Sequence, residues 1–363
     1  MCRACVTQPG LSTGRSLSVI RKFIAMTAYI FRRILAMFAV LLIVSIMTFT
    51  FMRLIPGSPF NRERTVPDRV IQQLEAKYRL DQPVYMQYLN YMGDIIIPRI
   101  TPDRIPPGPG GSFQDYLINI DLPGEDSHFR WMNFGPSYLT PNRTVNGIFK
   151  DHLPISFNLG LAAMVVAVSI GIPAGMFAAL NRNTWIDYAS MAVALIGVSV
   201  PVIVSGPILR YVFGVQLGWV PPTGWGTPEQ VIMPAFALGF SSSAILARLT
   251  RASLLQVLNE DFIRTARSKG LAERRVIILH ALKNSMIPVV TILGPLFAAL
   301  VTGSFVTELI FGIPGMGEFF VSSITNRDYP VIMGTTLLYA CFLVVANLVV
   351  DLVYAILDPR ITY

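Results

Sequence analysis

Charge is scarce in this chain. Of 363 residues only 14% are Asp, Glu, Lys or Arg, while 53% are hydrophobic. A soluble protein of two or three domains would need more polar surface than that. Histidine and cysteine are rarer still, three of each. No His, Cys or carboxylate cluster has metal or catalytic spacing, so no active site is proposed. Cys2 and Cys5 form a lone C-x-x-C without a second pair, which is a poor zinc signal. Cys341 falls in an apolar run and reads as a small packing residue. No Gly is followed by Lys anywhere in the chain. The pattern G-x-x-x-x-G-K-[ST] is therefore absent, and any ATP work must be done on another chain. Internal repeats and low-complexity tracts are missing too.

What the chain has instead is long uncharged runs. Six occur, at 34–51, 153–180, 188–209, 231–247, 284–307 and 329–350. Each is long enough to cross a hydrocarbon core of about 30 Å as a helix rising about 1.5 Å per residue. The runs are unbroken, whereas barrel strands alternate in polarity, so helices are expected. The first run is long, starts more than 30 residues in and lacks a small-residue cleavage site. It reads as a retained span rather than a signal peptide. The sequence leaves open whether translation starts at Met1 or Met26.

Lys and Arg orient the spans. The segment ahead of the first run carries Arg3, Arg15, Arg21, Lys22, Arg32 and Arg33, and 248–283 carries eight basic residues. On the opposite side, 214–230 has none and 311–328 has only Arg327. Both termini are expected in the cytoplasm. The expected organisation is a tail over 1–33, a first span over 34–52, an extracytoplasmic insertion over 53–150 and a five-helix core over 151–363. The net charge of +8 is then mostly topological. No basic domain stands apart from the spans, which argues against nucleic acid as a partner.

The insertion suits two short amphipathic helices on either side of Pro83, then a loop rich in Pro and Gly at 101–112. Its bland role is a packing lid. The sequon at Asn142 has weight only in a eukaryotic host. Within the spans, "GIPAG" at 171–175, "GVSVP" at 197–201 and Pro207 mark breaks that neighbouring helices can tolerate.

One cytoplasmic segment, 251–283, does not fit its surroundings. "EDFIRTARSKGLAERRVIILH" is charged, lies between apolar runs and is broken at Gly270. Leu255, Leu258, Phe262 and Ala266 recur at helical spacing. Gly270 suits the left-handed position that ends a helix, and Arg267 and Lys269 complement the dipole in its last turn. A second helix is expected from Glu273, with Val276, Ile277, Leu279 and Leu282 apolar. Two short helices at a glycine elbow could pack on their own bundle or dock a soluble partner.

The elbow resembles the signature loop of importer permeases of the ATP-binding cassette class, and specifically that of the dipeptide/oligopeptide permease family. In "RTARSKG", Arg264, Thr265 and Ala266 stand where the general motif has Glu-Ala-Ala, and Gly270 is its glycine. Only one alanine of that triplet is present. Pro288 follows Gly270 at the longer spacing typical of the peptide subgroup. "TFMRLIPGSPF" at 50–60, "ELIFGIPGMGEFF" at 308–320, "NRDYPVIMG" at 326–334 and "NLVVDLVYAILDPRITY" at 347–363 are similar to the same family. The resemblance covers about 29–363.

It implies an all-α, six-span permease of the type I importer fold, in a bacterial or archaeal inner membrane. Glu260, Asp261, Phe262, Ile263, Arg264, Thr265, Ala266, Arg267, Ser268, Lys269, Gly270 and Leu271 would form the loop that couples to the ATPases. The implied partners are a second, related permease, two cytosolic ATPases that bind ATP and magnesium, an extracytoplasmic binding protein and membrane lipid. The chain itself would be non-catalytic and bind no cofactor. The expected cargo is short peptides, with nickel chelates, glutathione and oligosaccharides handled by relatives in the same class. A stand-alone secondary carrier would need an ion relay inside the spans, whose centres carry no charge. A membrane-bound enzyme would need a catalytic constellation.

Charges at span ends are the remaining candidates. Arg210 and Glu308 could face a central cavity and touch cargo, or serve only as anchors. Asp351 is expected to pair with Arg248 or Arg251. Asp187 suits a helix N-terminus.

Overall fold

The computed structural model describes residues 13–54, 60, 68–102, 116–121, 127–140 and 143–357. Cys2, Cys5, Asn142 and most of the loop at 101–112 lie outside them.

A long helix opens the fold, α1 (Thr13–Leu54). Its part from Phe31 onward is apolar enough to span a membrane. Two helices follow, α2 (Asp68–Lys77) and α3 (Val84–Ile96). Pro83, with φ −55°, starts α3, as a residue whose missing N–H costs nothing at a helix start. Three short strands complete the insertion, β1 (Arg99–Pro102), β2 (Ile118–Asp121) and β3 (Ser127–Trp131). They form an antiparallel sheet in the order β1-β3-β2, with Arg99 opposite Arg130 and Ile118 opposite Trp131. This sheet adds a β element to an otherwise helical chain.

The bundle is built on α4 (Val145–Leu180) and α7 (Pro228–Leu258). The Thr144 side chain caps α4 by accepting from Gly147 N at 3.0 Å. Small residues let the two helices touch: a Cβ on Gly171 would stand 2.5 Å from the Ser243 carbonyl oxygen. α4 is about 54 Å long at 1.5 Å per residue, and it ties together the two ends of the molecule. Its start packs with Ile95 and Phe134 of the insertion. Its end, at Ala179, packs with Leu254, Ile263 and Val276.

Between these helices lie α5 (Trp185–Ser199) and α6 (Val202–Leu209), the latter continuing as a wide π-helical turn over Arg210–Gln216. The third span, expected over 188–209 with a break marked at 197–201, is two helices that meet at 102°. Pro201 cannot donate a hydrogen bond and holds Val200 extended, which breaks the helix. Among the described residues five helices are individually long and apolar enough to cross a membrane, and the bent pair makes six if counted as one crossing.

After α7 come α8 (Asp261–Ser268) and α9 (Glu273–Arg275). A π-helical turn over Val276–Leu282 joins α9 directly to α10 (Lys283–Val301). The expected separate second helix is therefore the near end of the fifth span, one apolar helix over Glu273–Val301. That span ends at Val301 rather than at 307, because Gly303 turns with φ +101°. α11 (Phe305–Phe311), α12 (Gly317–Asn326) and α13 (Tyr329–Leu357) complete the fold. α13 packs on α10 and α1.

Candidate functional site: the elbow after α7

Asn259 ends α7, and its side-chain amide donates to Leu255 O at 2.9 Å. Glu260 is extended, with ψ 150°, and redirects the chain into α8. Asp261 then sits in the first turn and Arg267 in the last, both favourable to the helix dipole. Ile263 and Ala266 are the buried face of α8. They press on Leu254, Val276 and Ala281. Asp261, Phe262, Arg264, Thr265, Arg267, Ser268 and Lys269 all face away from the bundle. Phe262 is 43% exposed, so it does not belong to the apolar face that the spacing Leu255, Leu258, Phe262, Ala266 suggested. The break at Asn259–Glu260 resets the phase.

The elbow itself is a Schellman turn. Gly270 has φ +73°, and its N–H donates to Arg267 O at 2.9 Å. Leu271 N–H donates to Ala266 O at 3.4 Å, and the Leu271 side chain packs in the same cluster as Ala266. A two-pronged ion pair then spans the corner. Arg267 Nε donates to Glu273 Oε2 at 3.1 Å, and Arg267 Nη2 to Glu273 Oε1 at 2.7 Å. Hydrogen bonding to Glu273 pushes the Arg267 guanidinium pKa up. Exposed ion pairs contribute little stability, roughly 0–1 kcal/mol. Two parallel bonds nevertheless fix an angle, and that is what this fork does between α8 and α9. Ala272 offers α9 no side-chain cap, as its residue type requires.

A second fork ties α7 to α5. Arg251 of α7 donates to both carboxylate oxygens of Asp187 at the start of α5, at 2.6 and 2.7 Å. Asn183 N–H adds a third bond to Asp187 at 3.0 Å. The expected Asp351 pairings with Arg248 or Arg251 are thus corrected. Asp351 of α13 pairs with Arg33 of α1 at 2.7 Å, because α1 and α13 are neighbours. The Asp187–Arg251 fork went unforeseen; its only signal in the sequence was an acid and a base, each near a span end.

The other two candidates converge on α11, at the far end of the bundle. Arg210 Nη1 donates to Ile310 O at 2.7 Å. Glu308 is 3% exposed and engaged through both oxygens. Ser156 Oγ donates to Oε1 and Gly317 N–H to Oε2, each at 2.7 Å. Ser156 Oγ also accepts from Met316 N–H at 2.7 Å. A Cβ on Gly315 would stand 2.5 Å from the Glu308 carboxylate, so the turn closes around the acid. Nearby, Asp328 accepts from the Ser137 hydroxyl, from Tyr138 N–H at 3.0 Å and from Leu139 N–H at 3.3 Å. Burial raises the Asp328 carboxyl above its ordinary range, against these lowering hydrogen bonds. This latch ties the loop before α4 to the start of α13.

Apolar helices crossing in one bundle, with a rigid polar elbow at one end, define a multi-span membrane protein that offers a surface to a soluble phase. The chain belongs to the family described as "Binding-protein-dependent transport system inner membrane component", whose model matches residues 171–363. A companion model for the N-terminal part of such membrane components matches residues 26–122. The dipeptide transport system permease protein DppB of Bacillus subtilis is 42% identical over 336 residues, covering 93% of this chain and 98% of that one. The oligopeptide transport system permease protein OppB of Salmonella typhimurium is 39% identical over 340 residues, covering 93% and all of the relative. The DppB protein of Lactococcus lactis is 35% identical over 336 residues, covering 93% and 99%.

Proposed function

We propose that this chain is one half of the translocation pore of an ATP-driven importer of short peptides. The peptide cargo follows the names of relatives at 35–42% identity over nearly their full length. The observation that carries the coupling role is the elbow. Its packing side chains, Ile263 and Ala266, are spent on the bundle, while Phe262 and the charges of α8 face outward from a corner held rigid at Gly270 and by Arg267–Glu273. Such a knob fits a groove in a cytosolic ATPase. Closure of two ATPases on ATP would push the α8 corners, and Ile263 and Val276 would pass that push into α7 and α10. A second, related permease would supply the other pore half, and a binding protein would deliver cargo to the opposite face. Both termini and the elbow would then be cytoplasmic in a bacterial or archaeal inner membrane, with the bent α5–α6 pair counted as one crossing and the insertion outside. The chain itself would neither hydrolyse ATP nor carry a cofactor.

The test is reconstitution in liposomes. Peptide uptake should require this chain, the second permease, both ATPases and the binding protein. Peptide flux through the single chain would replace the importer with a carrier. For orientation, Asn119→Cys should react with an impermeant thiol reagent outside intact cells, and Ser268→Cys should not; the reverse would put the elbow on the wrong side for ATP.

A further inference from the structure

A cavity of about 390 Å³ opens where the insertion meets the bundle. Its wall is shared by the end of α1, by the turn at 78–80, by α3, by the loop at 133–138 and by the start of α13. That volume falls in the range of small-ligand sites and far exceeds the roughly 30 Å³ share of one water.

The wall is cationic and incompletely satisfied. Among the described residues, Arg53, Arg79 and Arg99 line it, against the single carboxylate of Asp94. That carboxylate is already paired with Arg99. Asp328 lies close behind Tyr138, but its oxygens are taken by Ser137, Tyr138 and Leu139. Behind the Tyr116 face of the cavity stands Arg130, 4% exposed and 5.8 Å from the Tyr116 ring. Its Nε and Nη1 are buried without a hydrogen-bond partner. An unneutralised cluster of this kind favours an anion.

Two residues of the wall, Arg53 and Tyr91, also hold a buried atom without a partner, each with under 1 Å² of accessible surface. Arg53 is held between Phe49, at 5.4 Å, and Tyr329, at 5.0 Å, and gives one Nη to Gln87. Its Nε has no partner, and neither does the Tyr91 hydroxyl. Buried donors in native structures are satisfied as a rule, so each exception calls for an occupant. A water could meet each atom singly but would leave the charge. Once the two side chains turn toward the cavity, a carboxylate can accept from both donors and neutralise the guanidinium. Met52, Phe134 and Met333 line the same cavity and suit an organic remainder, which a bare inorganic anion would not use.

We propose that this cavity binds the carboxylate of a small soluble ligand through Arg53 and Tyr91, with the ligand body against Met52, Phe134 and Met333. The carboxylate can come from the C-terminus of a short peptide or from a simple organic acid. The peptide source rests on the importer reading above, and the carboxylate site does not. An occupant would bridge the insertion to α1 and α13 and stiffen that joint.

The assembled transporter containing this chain, in lipid nanodiscs and without binding protein, is titrated calorimetrically with trialanine, trialanine amide, butyrate and butyramide. Saturable binding of a free carboxylate, at one site per chain, is expected, with the matching amide at least about tenfold weaker. Tyr91→Phe should weaken carboxylate binding about tenfold and leave the ligand-free melting temperature unchanged, because that hydroxyl bonds to nothing in the free protein. Arg53→Lys keeps the charge, removes the Nε donor and should weaken binding further. Tighter binding of trialanine than butyrate assigns the site to peptide, and equal binding assigns it to organic acids. No saturable binding, or binding indifferent to amidation or to Tyr91→Phe, would mean that the cavity holds only water and would overturn the proposal. Peptide uptake is measured separately. Lost uptake by the complete wild-type system, with Tyr91-dependent carboxylate binding intact, would remove the importer reading and leave this site standing.

Discussion

The elbow at α8 and the knot at α11 use similar residues in opposite ways. Each combines a glycine in the left-handed region, an acid and hydrogen bonds to the backbone. At α11 the acid is consumed: Glu308 is buried and both oxygens are bonded within the chain. At α8 the Arg267 and Glu273 side chains remain 44% and 55% exposed, and Asp261, Phe262, Arg264 and Lys269 are exposed beside them. The buried acid fastens a turn to α4. The exposed pair fixes an angle and leaves its surroundings available to a partner. Charge near a span end therefore has no single meaning; what matters is whether the chain itself supplies the partners.

The largest effect is expected at the knot. Glu308→Ala strands the Gly317 N–H and the Ser156 hydroxyl in a closed turn, at about 1–3 kcal/mol for each orphaned group. The variant should lose membrane abundance or melt many degrees lower, whether or not ATPases are present. Next comes Gly270→Val. A Cβ there meets nothing within 4 Å, so the penalty is backbone strain alone, of order 1–3 kcal/mol. The valine variant should insert normally yet lose co-purification with the ATPases, while Gly270→Asn, which tolerates positive φ, should stay near wild type. A smaller effect is expected for Arg267→Ala. Stability should change by less than about 1 kcal/mol, but transport-coupled ATP hydrolysis should fall several-fold as the corner loosens. The charge swap Arg267→Glu with Glu273→Arg should restore much of it.

Much of this was legible in the residues. Gly270 stood out because a charged segment between apolar runs has to turn, and positive φ favours glycine. Pro83 separated two helices, as its missing donor demands. Four features were not legible. The phase of α8 was misread because one extended residue, Glu260, is enough to restart a helix, and periodicity does not register that. Pro201 was visible, but an apolar run keeps the same composition when it bends by 102°. The Arg33–Asp351 pair joins the first and last helices, so only the packed bundle brings it together. The three strands, at four or five residues each, are too short for alternation to stand out.

The most direct measurement concerns Phe262, the exposed aromatic of α8. Phe262→Ala should leave the melting temperature unchanged, since the ring contributes to none of the buried clusters among the described residues. A photo-crosslinking amino acid placed at 262 then reports what faces it in the assembled transporter, in native membranes. A crosslink to an ATPase subunit is expected, strong at 262 and absent at the buried neighbour 263. Crosslinking only to lipid or within this chain, with normal ATPase assembly, would contradict it and leave the elbow as a surface loop.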